Sequence, residues 1–166
     1  TAAMLIPFQS LMYPLLDLFE KIGLKNIPGL IFMYGGFGLS MSVFLYHGFI
    51  KSVPASLEEA AVLDGANLFQ MFFKVVFPLL KGTTVTVIVL NGMWIWNDYL
   101  LPYLVLDLKR FKTIPIAVQY LRGGYGSVDM GAMMAMLVLA IAPILLFYFL
   151  CQKYIVSGVM AGAVKG

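Results

Sequence analysis

Charge is scarce in this chain. Charged residues make up 11% of its 166 positions, whereas a soluble domain averages about a quarter. The mean hydropathy is +0.93. This composition excludes an ordinary soluble domain and favours a membrane protein. The net charge of +3 is too small and too scattered to indicate nucleic-acid binding.

Residue types that bind metals or perform catalysis are also sparse. Cys151 is the single cysteine and His47 the single histidine, which excludes a disulfide framework, a thiolate cluster and a multi-histidine metal site. The sequence has no GxxxxGK[ST] phosphate loop, and it has no Ser/His/Asp set or carboxylate pair placed for catalysis. We therefore predict no catalytic residue, no metal and no cofactor in this chain.

Long uncharged or nearly uncharged runs are the most prominent feature that is present. Three of them can cross a hydrocarbon core of about 30 Å at about 1.5 Å per residue, and they cover residues 30–50, 82–106 and 130–152. The run 1–16 is shorter, and we interpret it as the end of a further span, so that the chain is a fragment. No run shows the alternation of barrel strands. The sequence predicts an all-α membrane protein, a multi-pass helical bundle.

The basic residues of the connectors do not orient these spans. Connectors 17–29 and 107–129 share one side of the membrane and hold six Lys and Arg residues, whereas 51–81 and the tail 153–166 share the other side and hold five. The positive-inside rule needs a clear asymmetry. Orientation is therefore left open by charge alone.

One polar turn interrupts the apolar chain between the first two full spans. Ser56 is predicted to cap a short helix, with Glu59 completing a capping box. Gly65 is predicted to end that helix with a positive φ. Asn67 is predicted to cap a second, amphipathic helix, which Pro78 would break before the next span.

The side chains of the first short helix are small on one side. Ala60 and Ala61 are predicted to leave one face nearly bare, and a bare face permits close docking of another surface. Glu58 and Asp64 would place negative charge around that contact. We therefore predict a structured docking module rather than a passive linker.

The order of residues in this loop resembles the cytoplasmic signature of ABC importer permeases. The signature is EAA, three residues, Gly, nine residues, then apolar-x-apolar-Pro. It occurs here as Glu59-Ala60-Ala61, Gly65 and Val75-Val76-Phe77-Pro78, with Val75 and Phe77 in place of the usual Ile and Leu. The Trp96-Asn97-Asp98 triplet and the terminal AGAVKG are similar to the carbohydrate branch, the maltose-permease-like subunits.

The resemblance implies the C-terminal part of an ABC importer type I transmembrane domain. Connector 51–81 would be a cytoplasmic coupling loop that docks into a separate ATP-binding cassette ATPase, and the tail 153–166 would also be cytoplasmic. Connector 107–129 would be extracytoplasmic. The coupling residues would be Glu59, Ala60, Ala61, Asp64 and Gly65.

The resemblance also implies partners and a location. The partners would be the ATPase subunits, a second permease subunit, an extracytoplasmic solute-binding protein, a sugar substrate and the lipid bilayer, with no nucleic acid. ATP hydrolysis would belong to the ATPase, so this chain would not be an enzyme. The location would be the inner membrane of a bacterial or archaeal cell.

Two further groups of residues are candidate sites. The first could meet a sugar by stacking or hydrogen bonding in a substrate pathway, although an aromatic belt with a capping carboxylate would explain the same residues: Asn91, Trp94, Asn97 and Asp98. The second could face the solute-binding protein, although a solvated glycine-rich loop is the alternative: Arg122, Gly123, Gly124 and Tyr125.

Several alternatives remain open from sequence. Glu59 could serve only in the capping box, and Gly65 could serve only to allow a positive φ. The chain could be an ABC permease for amino acids or peptides. It could also be an ion-coupled secondary transporter, although such proteins place charges or broken helices near the middle of the membrane.

Overall fold

The computed structural model describes the backbone of residues 2–121 and 129–163 and the side chains of residues 4–121 and 129–152. A 3-10 turn at Ala2–Leu5 precedes a series of α-helices. These are α1 (Phe8–Lys21), α2 (Ile27–Ile50), α3 (Ala55–Leu63), α4 (Leu68–Met71), α5 (Phe77–Leu79), α6 (Lys81–Asn97), α7 (Leu100–Val105), α8 (Ile114–Leu121) and α9 (Met130–Ala163). The predicted all-α fold is confirmed.

Two of these helices are long and apolar enough to cross a membrane. They are α2 and the Met130–Gln152 part of α9, which overlap the predicted runs 30–50 and 130–152. A third candidate is a bent pair, in which Leu68–Leu79 meets Lys81–Asn97 at 70°. Lys81–Asn97 is the candidate span of this pair, and Leu68–Leu79 is inclined to it.

The predicted span 82–106 is not one continuous helix. α6 ends at Asn97, and the backbone of Asp98 is extended, with ψ of 127°. The Asp98 Oδ1 atom accepts hydrogen bonds from the backbone N–H groups of Leu100 at 3.0 Å and Leu101 at 3.5 Å. Because this carboxylate takes donors that a continuing helix would use, the chain breaks and restarts as α7.

Helix ends elsewhere also differ from the predicted boundaries. α1 continues past residue 16 to Lys21, where an ion pair of 2.7 Å between Lys21 and Asp17 joins successive turns. Connector 107–129 contains α8, and α9 continues past residue 152 to Ala163. A helix can continue past the charged residues that bound an apolar run, here Asp17 in α1 and Lys153 in α9.

α2 and α6 lie antiparallel and are joined by three interhelical hydrogen bonds. Each bond joins a polar side chain of α2 to one of α6 or to the residue that ends α6: Tyr34–Asp98 (2.9 Å), Ser42–Asn91 (3.1 Å) and Tyr46–Thr84 (2.9 Å). In each phenol pair the tyrosine hydroxyl donates. Such bonds within membranes contribute about 0.6 kcal/mol each. They therefore help to fix the register of α2 relative to α6, whose other contacts are mostly apolar.

Only one of three neighbouring glycines in α2 allows close packing against another described helix. A Cβ atom at Gly38 would lie 3.0 Å from Oδ1 of Asn91, whereas Cβ atoms at Gly35 and Gly36 would meet nothing within 4 Å in the described structure. The lack of a side chain at Gly38 therefore brings α2 and α6 together where Asn91 bonds to Ser42.

The buried core lies at the Asp98 end of the α2–α6 pair. It combines one side chain of α1 with two of α2 and two of α7: Phe19, Leu30, Met33, Leu101 and Val105. The break at Asp98 accompanies this arrangement, in which α7 packs against the start of α2. The core thus fixes the end of the pair that lies opposite the polar loop.

Candidate functional site

The first helix of the polar loop begins without the predicted capping box. α3 starts at Ala55, Pro54 occupies the N-cap, and no side chain caps the helix. The first turn closes on the Pro54 carbonyl, which accepts a hydrogen bond from the Leu57 N–H at 3.1 Å. The prediction that Ser56 is the cap is therefore wrong. The fixed φ of proline already directs the chain into the helix, so Ser56 is its second residue.

This start leaves Glu59 without the partner that the capping box would have provided. Its side chain is exposed, and it forms no hydrogen bond or ion pair with any other residue in the described part of the chain. The carboxylate is therefore available to another surface. Capping no longer explains why a glutamate stands at this position.

Gly65 ends α3 as predicted. Its φ is +79°, and two backbone hydrogen bonds of 3.0 Å close the turn, from the Ala66 N–H to the Ala61 carbonyl and from the Gly65 N–H to the Val62 carbonyl. This pair of bonds is a Schellman motif. It satisfies carbonyls at the helix end and holds the loop in one conformation.

Ala60 and Ala61 of α3 do not form one bare exposed face. Ala61 is buried, whereas Ala60 is exposed, because successive residues of a helix point about 100° apart. The expectation that Ala60 and Ala61 share a bare face is therefore wrong, because only Ala60 of the two is exposed. Asp64 and Gly65 are exposed next to the end of this helix.

The second half of the loop has the predicted cap. The Gln70 N–H donates to Asn67 Oδ1 at 2.9 Å, and the Asn67 N–H donates to Gln70 Oε1 at 3.0 Å. Together these bonds form a capping box at the start of α4. Both ends of the short connection between α3 and α4 are thus closed by hydrogen bonds.

Pro78 does not break the helix that follows. A π-helical turn at Phe72–Val76 joins α4 to α5, Pro78 lies within α5, and the sharp bend comes only at Leu80. Proline lacks an N–H and crowds the carbonyl of the preceding turn. The wider π turn next to it provides room for that misfit.

A groove of about 880 Å³ lies beside α1, α2 and α6, and we name it the α2–α6 groove. Its walls are mostly apolar, with Ser40 and Asn91 as polar members and Trp94 as an aromatic one. Of the four predicted pathway residues, Asn91 and Trp94 line this groove. An amide and an indole on one wall can provide hydrogen bonds and a flat apolar surface.

The other two predicted pathway residues are engaged elsewhere. Asn97 is exposed, and its Nδ2 atom donates to the Met93 carbonyl of its own helix at 2.7 Å. Asp98 is held by Tyr34 and by the start of α7. This placement agrees with the capping alternative for Asp98.

Sequence reasoning missed two aromatic residues that contact Trp94. The ring centroids of Tyr34 and Trp94 lie 5.5 Å apart at 85°, and those of Phe37 and Trp94 lie 6.5 Å apart at 76°. Both belong to α2, where they resemble any other apolar residue of a span. The only sequence signal was the hydroxyl of Tyr34 in a run without charge.

Over residues 1–160 the chain matches the family described as "Binding-protein-dependent transport system inner membrane component". The chain belongs to this family. The family membership read from the EAA-type loop is thereby confirmed. This is a family of transport-system membrane components.

The chain is similar in sequence to several curated permease proteins. It is 48% identical over 165 residues to the "Probable starch degradation products transport system permease protein AmyC" of Thermoanaerobacterium thermosulfurigenes. It is 40% identical over 162 residues to the "Multiple sugar-binding transport system permease protein MsmG" of Streptococcus mutans. It is 34% identical over 165 residues to the "Melibiose/raffinose/stachyose import permease protein MelC" of Bacillus subtilis.

These matches cover the chain more fully than they cover the relatives. They include 99%, 96% and 98% of this chain, but 60%, 58% and 59% of AmyC, MsmG and MelC respectively. The chain therefore spans less than two thirds of the length of each of these three relatives.

One predicted site lies outside the described residues. Arg122, Gly123, Gly124 and Tyr125 belong to the stretch 122–128, which the structure does not describe. Their suggested contact with a solute-binding protein stays a prediction.

Replacing Gly65 should separate its backbone role from a contact role. Gly65→Ala is expected to destabilise the end of α3 by about 1–2 kcal/mol, because alanine is disfavoured in the left-handed region. Gly65→Asn is the matched control and should destabilise the end of α3 less. Asparagine tolerates the left-handed region, and nothing lies within 4 Å of the Cβ position in the described structure. Hydrogen exchange of the loop amides measures the difference.

The same two variants also test docking. If Gly65→Asn keeps the loop protected but reduces coupling to an ATPase as much as Gly65→Ala does, glycine is required for the contact itself. Equal hydrogen exchange in both variants and in the unmodified protein would contradict the backbone role.

Proposed function

We propose that the chain is the transmembrane permease subunit of an ATP-driven, binding-protein-dependent importer of sugars, with oligosaccharides or related polyols or glycosides as substrates. The family match supports this proposal, as do relatives named for starch degradation products, multiple sugars and melibiose, raffinose and stachyose. The subunit would be a multi-pass protein of a bacterial or archaeal inner membrane.

The observation that carries the proposal is the state of the loop around Glu59. α3 is held at its end by the Schellman motif, and α4 is held at its start by a capping box. Glu59 nevertheless stays exposed and without a partner among the described residues. A loop with a satisfied backbone and a free carboxylate suits contact with a second protein, and we infer that this protein is the ATPase subunit.

The position of this loop provides the coupling. α3, α4 and α5 connect the C-terminus of α2 to the N-terminus of α6, so a movement of α3 acts on both helices. ATPase closure would shift α3, and the α2–α6 pair would tilt between inward-open and outward-open states. ATP would be hydrolysed by the partner alone.

The α2–α6 groove would form part of the sugar pathway. Asn91 offers an amide and Trp94 an aromatic face, and pockets for small polar ligands combine mostly apolar walls with a few placed polar groups. A second permease subunit would close the open side of the groove. The connector 107–129 would face the solute-binding protein.

Reconstitution of the complete transporter in proteoliposomes tests this function. We expect maltotriose or raffinose, delivered by the solute-binding protein, to be taken up only when ATP is present on the ATPase side. Uptake driven by an ion gradient without ATP would contradict an ABC importer. Stimulation of ATP hydrolysis by amino acids or peptides, but by no saccharide, would contradict the substrate class.

A further inference from the structure

Asp98 is a junction of three structural elements. Its Oδ2 atom accepts a hydrogen bond from the Tyr34 hydroxyl of α2 at 2.9 Å. Its Oδ1 atom accepts from the backbone N–H groups of Leu100 and Leu101 at the start of α7. Asp98 itself follows the last residue of α6. Because both oxygens are engaged, the carboxylate holds the Tyr34 hydroxyl in one place.

The ring of Tyr34 transmits this constraint to the groove. Tyr34 and Trp94 meet edge to face, with ring centroids 5.5 Å apart and planes at 85°. Phe37 meets the same indole at 6.5 Å and 76°. T-shaped contacts of this kind prefer a defined orientation. Trp94 is thus held by two aromatic residues of α2, of which only Tyr34 is itself fixed by a hydrogen bond to a charged group.

Trp94 remains accessible although it is held. The residue is 44% exposed, and it lines the α2–α6 groove together with Asn91. Asn91 is also fixed, because its Nδ2 atom donates to Ser42. The groove therefore presents an amide held by a hydrogen bond to Ser42 and an indole held by ring contacts with Tyr34 and Phe37.

We propose that Tyr34 is a positioning residue for sugar transport, acting through Trp94. The Asp98 carboxylate fixes the hydroxyl of Tyr34, and the ring edge of Tyr34 then sets the plane of the indole against which a sugar ring packs in the groove. Tyr34 itself does not touch the sugar. This inference rests on the proposed function, and it adds a residue that neither the loop motif nor the predicted pathway set contains.

The test compares two tyrosines that each lose only a hydroxyl. Tyr34→Phe removes the bond to Asp98 and keeps the ring beside Trp94. Tyr46→Phe is the matched control, because it removes the bond to Thr84 in the same helix pair without touching Trp94. The complete transporter is reconstituted, its assembled amount is measured, and uptake of maltotriose, raffinose and trehalose is recorded as KM and kcat.

We expect Tyr34→Phe to raise KM about threefold to tenfold, a range that corresponds to the net contribution of an ordinary intramolecular hydrogen bond, because the lost bond acts on the sugar only through Trp94. We expect the kcat of Tyr34→Phe to change little. For Tyr46→Phe we expect little change in either kcat or KM. If Tyr34 acts through Trp94, Tyr34→Phe should add almost nothing to the KM of a Trp94→Ala transporter, because the residue that it positions is already gone. A general role in helix packing would instead lower the assembled amount in both tyrosine variants.

Asp98→Asn provides a second route if Tyr34→Phe does not assemble. Asparagine keeps an oxygen for the α7 amides but loses the charge, and the same rise in KM is expected. Two outcomes would overturn the inference if the unmodified transporter takes up sugar. One is an unchanged KM in the variant that assembles. The other is an equal change of KM in Tyr34→Phe and Tyr46→Phe. An unmodified transporter that takes up no saccharide would overturn the proposed function, and this inference with it.

Discussion

Glu59→Gln is expected to reduce ATP hydrolysis stimulated by the loaded solute-binding protein at least about tenfold, the effect of losing one charged contact at an interface. Glu59 is exposed and makes no bond within the described chain, so the substitution should leave α3 intact. The proposed docking to the ATPase would lose a negative charge while the side-chain shape stays nearly the same. Stimulated ATPase activity of the reconstituted complex measures the effect.

Glu58→Gln is the matched control for this change. It makes the same chemical substitution one position earlier in α3. Although the sequence predicts that Glu58 adds charge near the contact, its side chain is half-buried rather than exposed, so the substitution should change coupling much less. Full stimulation in Glu59→Gln would remove Glu59 from the docking surface. Loss of hydrogen-exchange protection in α3 would show instead that the carboxylate supports the helix.

Gly29→Ala is expected to destabilise the protein by about 3 kcal/mol, at the upper end of overpacking effects. Gly29 lies in the first turn of α2, where its N–H donates to Asn26 Oδ1 at 2.9 Å. A Cβ atom at this position would overlap the backbone carbonyl of Leu24. A carbonyl cannot rotate aside as a flexible side chain does, so the turn before α2 would have to move.

Thermal unfolding of the complete transporter in detergent checks this prediction, with Gly35→Ala as the control. Both glycines belong to α2, but a Cβ atom at Gly35 meets nothing within 4 Å in the described structure, and alanine favours a helix interior. We expect a clear loss of thermal stability for Gly29→Ala and none for Gly35→Ala. Similar unfolding midpoints for the two variants would contradict the steric explanation.

Local sequence signals predicted parts of the loop well. The positive φ of Gly65 and the capping box of Asn67 depend on a few neighbouring residues, and both occur in the structure. The cap at Ser56 failed for a local reason as well. Pro54 already starts the helix, and a capping pattern alone does not reveal which of two start signals, two residues apart, determines the first residue of the helix.

The break at Asp98 and the wall of the groove could not be predicted in the same way. Hydropathy treats 82–106 as one run because it reports the apolar character of residues and not the partners of their backbone groups. Whether Asp98 accepts from α7 depends on where Tyr34 and the core hold it. Likewise, Tyr34 and Phe37 gain a role only once α2 lies against Trp94, which no spacing along the chain indicates.

The three interhelical hydrogen bonds have a mechanical consequence. For α2 to slide along α6, all three must break together, at a cost of about 2 kcal/mol or roughly a thirtyfold drop in population. We therefore expect the two helices to move as one unit. The chain turns by 70° between Leu68–Leu79 and Lys81–Asn97, which separates this unit from the loop. A displacement of α3 would thus rotate α2 and α6 together at the Asp98 end and would not make one helix slide along the other.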